Sequence, residues 1–504
     1  MYSHFIHHTS AQGSTKEMVQ NLSSQDARVQ EQAAKALWNF AVNDENQFKL
    51  ATAGAIPPLV ALLGRHNSMG VQIQATGALW SLAVNAVNKV KIVAAGAIPP
   101  LVALLGPQCS AGVQENALGA LMCLAVNADN KVKIAEAGAI PPLVALLGSQ
   151  CSAEVQENAL VALMCLAVND DNKVKIAEAG AIPPLVALLG PQCSAEVQEN
   201  SSRALICLAV NDDNKVKIAE AGAIPHLVAL LGPQCSAEVQ ENAAGTLRNL
   251  AMNADNRVKI AAASAIPPLV ALLGPHSSAE VHEEATCALA YLAVNADNQV
   301  KIAAAGAIPP LVALLGPKSS AEVQENAAGT LRNLALNADN KVKIAAAGAL
   351  PPLVALMRPQ CLAGVQENAA GTLTNLAVNA DNKVKIAAAG ALPPLVALLG
   401  PQYSAGVQEI VAGALLNLAC NVDNEVKIVE AGAIPPLVAL LGPQCSAGVQ
   451  ERAAMALYFL ASNAANKASI RSSGGISALT QLIQSSTSDE VKSEAKDVLD
   501  RINR

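Results

Sequence analysis

Gly54-Ala55-Ile56-Pro57-Pro58 opens a stretch that returns down the whole chain. Its first position recurs at Gly96, Gly138, Gly180, Gly222, Ser264, Gly306, Gly348, Gly390, Gly432 and Gly474, every 42 residues. The valine of Val-Gln-Glu-Asn keeps the same interval, from Val29 and Val71 to Val449 and Val491. Twelve copies thus share one spacing without an insertion. A period of this size marks stacked repeats rather than one closed core.

One unit, Ala338 to Asn379, shows what is repeated. Asp339 and Asn340 are cap-type residues, so a short first helix is expected from Lys341 to Ala347, ending at Gly348. Pro351-Pro352 suit the first turn of a second helix, where no N–H is needed. Leu353, Val354, Leu356 and Met357 are its apolar residues, and Pro359 is expected to stop it. A third helix is expected from about Leu362 to Val378, with Val365, Ala369, Leu373, Leu376 and Ala377 at helical spacing. One unit cannot bury its apolar faces alone, whereas stacking on its neighbours makes a continuous core.

The 504 residues are 52% hydrophobic and 14% charged, with 2% aromatic and a net charge of -7. This excludes a disordered chain. It gives no basic excess for a nucleic-acid backbone, so no nucleic-acid partner is expected. Ile92 to Gln114 is 23 residues without a charge, long enough to span a bilayer. It contains Gly96, Pro99-Pro100 and Gly106-Pro107, which break a helix into pieces. It therefore reads as buried core, with no transmembrane span.

The 42-residue three-helix unit, with Gly-Ala-Ile-Pro-Pro-Leu-Val-Ala-Leu-Leu and Asn-Leu-Ala motifs, resembles the armadillo repeat. In texture it is similar to the vacuolar armadillo protein of fungi and to the repeat region of plant U-box armadillo ligases. Those families carry motifs like Val239 to Ala251 here. The fold class expected is all-α, a right-handed α-solenoid of about eleven to twelve armadillo repeats. Residues 1-43 form an N-terminal capping partial repeat, 44-463 ten tandem repeats, and 464-504 a C-terminal cap. Ser14 to Leu22 reads as a polar version of the second helix, and Asp489 to Arg501 as a charged last helix.

The resemblance implies a concave groove lined by the third helices, where an asparagine of Asn-Leu-Ala holds the backbone of an extended peptide. That ladder position reads Asn39, Ser81, Cys123, Cys165, Cys207, Asn249, Tyr291, Asn333, Asn375, Asn417 and Phe459. An asparagine amide can donate to a peptide carbonyl and accept from its N–H. Seven residues earlier, on the same helical face, lie Asn116, Asn158, Asn200, Asn242, Asn326 and Asn368. Arg203, Arg248 and Arg332 break the repeat and are candidates for acidic partner side chains. Four residues before the ladder, glycine mostly stands where the nuclear-import adaptor carries tryptophan, so basic import signals are not the expected ligand. Asn127, Asn169 and Asn253 follow the third helix and read as caps of it.

No catalytic set, cofactor loop or metal site emerges, and the protein is expected to be non-enzymatic. The eleven cysteines include six at one loop position, Cys109, Cys151, Cys193, Cys235, Cys361 and Cys445. Packed helices lie roughly 10 Å apart, too far for disulfides between repeats, so a reduced, cytoplasmic protein is expected. His282-Glu283-Glu284 begins like a zinc-protease motif but lacks the second histidine. It replaces the glutamine of Val-Gln-Glu and reads as surface variation. The function expected is a protein-protein interaction scaffold or adaptor, a monomer that takes protein or peptide segments along the groove. The alternatives are a substrate-recruiting subunit of a ubiquitin ligase, or a nuclear transport adaptor. The plant relatives carry a U-box of roughly 70 residues before the repeats, more than precedes the first repeat helix here, so none is expected. The fungal relative's acylated N-terminus needs a glycine where this chain has Tyr2, so no lipid anchor is expected.

Overall fold

The computed structural model describes residues 15–148 and 150–504. Among the described residues every regular element is helical, and the chain forms two compact units, Met1–Asn253 and Ala254–Arg504. Each unit is an α-solenoid of three-helix repeats. The unit of Ala338 to Asn379 comprises a short helix Ala338–Ala346, a second helix Leu350–Leu356 and a long helix Ala363–Leu376. The uncharged stretch from Ile92 to Gln114 is divided among Ala86–Ala94, Ile98–Ala103 and Ala111–Leu124. No helix among the described residues is long and apolar enough to cross a membrane.

The short helix begins earlier than its cap-type residues suggest. Asn337 is the N-cap and accepts from the Asp339 and Asn340 N–H groups at 3.0 and 3.1 Å. Asp339 and Asn340 lie inside the helix. The same geometry corrects the role of Asn127 and Asn169. Each caps the start of the following short helix, accepting from Asn130 and Asn172 at 3.2 and 3.0 Å, rather than the end of the preceding long one. Asparagine can do this because its carboxamide oxygen reaches the third N–H of an otherwise orphaned first turn.

The short helix ends in a Schellman turn. Gly348 has φ +80°, its N–H donates to Ala345, and the Ala349 N–H donates to Ile344. The second helix then starts on Pro351-Pro352. It ends at Leu356, before Pro359. The long helix is buried around most of its circumference, because it lies between the long helices of its neighbours. Val365, Ala369, Leu373, Leu376 and Ala377 are all 1% exposed or less. Ala370, Gly371 and Thr372 on other faces are buried too. That environment accounts for the alanine and glycine content of this helix, since small residues let backbones approach.

Side chains at two recurring positions tie the helices to their neighbours and loops. In most repeats the asparagine two residues into the short helix is nearly fully buried and donates to the preceding repeat, as in Asn340 to the Gln299 carbonyl at 3.3 Å and Asn424 to Lys383 at 3.0 Å. The glutamine of Val-Gln-Glu reaches back eight residues to a loop carbonyl, as in Gln324 to Gly316 at 2.8 Å. His282 takes this role in its own repeat, with Nε2 at 2.8 Å from the Gly274 carbonyl. It is a structural donor rather than surface variation.

Candidate functional site

The ladder position is set by the long helices, which carry it in their last turn, one or two residues before the C-terminal end. Asn333, Asn375 and Asn417 are half-buried and Asn249 is buried. Each donates through Nδ2 to a long-helix carbonyl of the preceding repeat, 43 residues back. Asn249 reaches Ile206 at 3.2 Å, Asn333 Ala290 at 3.1 Å, Asn375 Arg332 at 2.9 Å and Asn417 Thr374 at 3.2 Å. These carbonyls lie in the last turn of their own helices, where no intrahelical N–H reaches them, so the amide satisfies an otherwise orphaned acceptor. Each amide therefore has one N–H committed to the stack. For Asn333, Asn375 and Asn417, the other N–H and Oδ1 make no hydrogen bond to the described residues. Asn39 is exposed and makes no such bond among the described residues.

The row seven residues earlier behaves less uniformly. Asn116 and Asn368 also donate 43 residues back, to Ile73 at 3.0 Å and Glu325 at 3.3 Å. Asn242 instead bonds its own helix at Glu238, 2.7 Å. Asn158 and Asn200 make no side-chain hydrogen bond to the described residues, and Asn200 is buried.

In the unit Ala254–Arg504 the two rows meet in a pocket of about 390 Å³. It is lined by Ala290, Glu325, Asn326, Gly329, Arg332, Asn333, Leu336, Asn368 and Asn375. Arg332 crosses it, with Nη1 at 3.4 Å from Asn368 Oδ1 and 3.8 Å from Glu367 Oε1. Its stem lies over Gly371, where an added Cβ would come within 2.6 Å of Arg332 Nε. The same packing recurs elsewhere, with Trp38 over Gly77 and Trp80 over Gly119. Glycine four residues before the ladder is thus room for the side chain that precedes the ladder residue of the repeat before it. Chemically, the pocket offers two amide edges, one cation and one carboxylate, suited to a polypeptide backbone and its polar side chains.

Ser81, Cys123, Cys165 and Cys207 give the first unit a different surface. Burial raises all three thiol pKa values. At Cys123 the Lys89 ammonium and the Trp80 indole N–H pull against that rise. Neutral thiols are weak hydrogen-bonding groups, so this part of the ladder has little hold on a peptide backbone. All eleven cysteines are free thiols. No cluster of metal-ligating side chains occurs among the described residues.

A family model described as ARMC5 matches residues 166–417, half of the chain. A second, described as the plant U-box protein ARM repeat region, matches residues 11–255. The chain belongs to the armadillo repeat family. The crystal structure of an engineered protein from the Northeast Structural Genomics Consortium is similar to it at 34% identity and a TM-score of 0.74, over 81% of this chain and 99% of that one. A β-catenin structure, described by a phosphorylation switch that controls its interaction with cadherin, is similar at 18% identity and a TM-score of 0.77. It covers 97% of this chain and 98% of that one. No curated protein matches the chain. The armadillo fold is one of protein-interaction scaffolds.

Within this armadillo chain, the pocket gathers Asn326, Arg332, Asn333, Asn368 and Asn375 from the residues that the repeat pattern singles out. It does not gather Arg203, Arg248 or Tyr291. Arg203 is exposed and held by Glu199 at 3.4 Å on its own helix, and Arg248 Nε donates to Asn249 Oδ1 at 3.2 Å. Tyr291 is half-buried and does not line the pocket. Glu325 and Leu336 line the pocket and escaped the sequence reading. The signal for Glu325 was present, since it precedes Asn326 in Val-Gln-Glu-Asn and shares its helical turn. Leu336 stands three residues after the ladder, at a position that is exposed and aliphatic in most repeats.

Proposed function

We propose that the protein is a non-enzymatic adaptor of the cytoplasm, which binds an extended partner segment across the long helices of its second unit. The observation that carries this reading is the pocket in which the uncommitted amide edges of Asn333 and Asn375 meet Arg332 and Glu325. Successive amides of this kind grip a backbone with little regard to side chains, while Arg332 adds a preference for a carboxylate. The likeness to a β-catenin structure supports the fold on which such binding rests.

Gly329→Leu tests it. The three atoms nearest to a Cβ there all belong to the Asn368 amide, the closest at 3.4 Å. The added side chain fills the pocket and removes none of the ladder amides that bond to the preceding repeat. Affinity capture with the native chain and this variant, at equal helicity, is expected to lose a discrete set of partners from the variant. Identical capture by both would refute the pocket as the binding surface.

The match of residues 11–255 to the U-box protein repeat region favours a second reading, substrate recruitment for a ubiquitin ligase. It predicts that partners lost from Gly329→Leu include ligase substrates whose ubiquitylation falls with it. The chain alone with a conjugating enzyme is expected to build no ubiquitin chains.

A further inference from the structure

The short helices carry a surface that the pocket does not use. In the first unit, Ala86–Ala94 and Ala128–Glu136 are successive short helices, and a recess of about 600 Å³ lies between them. Its apolar lining is Ala86, Val90, Val93, Ala94 and Val126, with Val90 70% and Val126 71% exposed. Single exposed valines need no explanation, but aliphatic groups that converge on one recess mark an interaction surface.

One repeat earlier the equivalent place is filled. Phe48 stands 42 residues before Val90, and Lys91 stands 42 residues before Lys133. The Lys91 ammonium lies 5.7 Å from the Phe48 ring centroid. At the next junction the ring is replaced by the smaller Val90, and both Val90 and Lys133 face the recess.

The charges around the recess give the sign of what enters it. Lys89 and Lys133 line it, and neither has a carboxylate within ion-pairing distance among the described residues. Two register-mates of Lys89 are paired, Lys173 with Asp170 and Lys215 with Asp212, each at 2.6 Å. Ala86 occupies the position of those aspartates, and Val87 that of Asp171 and Asp213. The helix Ala86–Ala94 thus has two lysines, three valines and no acid. Asp129, in the first turn of the facing helix, is the carboxylate on the lining and offsets one of the two lysines.

We infer that this recess docks a short acidic, aliphatic segment of a partner protein, whose apolar side chains cover Val90 and Val126 and whose carboxylates pair with Lys89 and Lys133. A flat anionic bilayer would meet the same lysines but leave the recess empty. Each nine-residue wall helix is about 13 Å long, which sets the segment at two to three helical turns.

Fluorescence anisotropy on the full chain tests this with labelled peptides of about twelve residues. One carries two leucines four apart flanked by glutamates, one has lysines in place of the glutamates, and one has serines in place of the leucines. The glutamate–leucine peptide is expected to bind at least about tenfold more tightly than either other, a difference of about 1.4 kcal/mol. The same loss is expected in Val90→Phe, which fills the recess with the residue found at position 48, and in Lys89→Glu/Lys133→Glu. Gly329→Leu is expected to bind the peptide as the native chain does, which separates this site from the pocket in the second unit. Equal binding of the three peptides, no binding, or undiminished binding by Val90→Phe would overturn the inference. So would phosphatidylserine vesicles that bind the native chain and not the double variant, with no preference among peptides.

Discussion

Ser264→Gly is expected to stabilise the protein, and the magnitude follows from one backbone angle. Ten glycines end short helices at the same register with φ between +75° and +82°, and Ser264 stands there with φ +60°. It is the one non-glycine with positive φ among the described residues. Its hydrogen bonds are those of the glycine repeats, with the Ser264 N–H on Ala261 and the Ala265 N–H on Ile260. At the register-mate glycines a Cβ would meet nothing within 4 Å, so no packing term enters. The left-handed conformation costs an L-residue roughly 1–2 kcal/mol. Glycine gives back about 0.5–1 kcal/mol through its freer unfolded chain. The net gain for Ser264→Gly is therefore about 0.5–1 kcal/mol, and Gly306→Ser is expected to lose as much. A repeat array need not unfold in one step, so the readout is local. Hydrogen exchange of the Ala254–Ala262 amides is expected to slow about two- to fivefold in Ser264→Gly. Those of Ala296–Ala304 should speed up by the same factor in Gly306→Ser. Unchanged exchange in both variants would refute the reasoning.

Two further outcomes follow from the inter-repeat contacts. Asn375→Ala removes the 2.9 Å hydrogen bond to the Arg332 carbonyl and is expected to cost about 0.5–1.5 kcal/mol in urea unfolding. If stability is unchanged, the amide is not a structural stitch. The Glu157 carboxyl is raised above its ordinary pKa, first by burial and then by Glu196 across the repeat junction. A raised acid favours the native state when protonated, and that contribution is lost as pH rises through the native value. Glu157→Gln is therefore expected to raise the urea midpoint at pH 7 and leave it unchanged near pH 3. A lower midpoint at pH 7 would show that the charge is stabilising.

The 42-residue interval made the helical repeat legible from residues alone, and the stripe of Val365, Ala369, Leu373 and Leu376 lies where helical spacing puts it. Ends of helices were less legible. Asn337 and Asp339 are both good caps on paper, and the choice between them depends on which amides the preceding turn leaves unpaired. The residue-type reading also treated the ladder asparagines as free for a ligand. Their Nδ2 groups reach carbonyls 43 residues away, a distance in sequence at which no local rule operates.

The period and the residues that break it were therefore determined by sequence, because each repeat folds through short-range caps, turns and apolar spacing. Tertiary structure decided how those residues are used. Stacking commits half of each amide and brings Glu325 and Arg332 to one pocket. It also leaves Val90 beside Lys133 with no ring between them. Those outcomes depend on how one helix layer settles on the next, through contacts between side chains about forty residues apart.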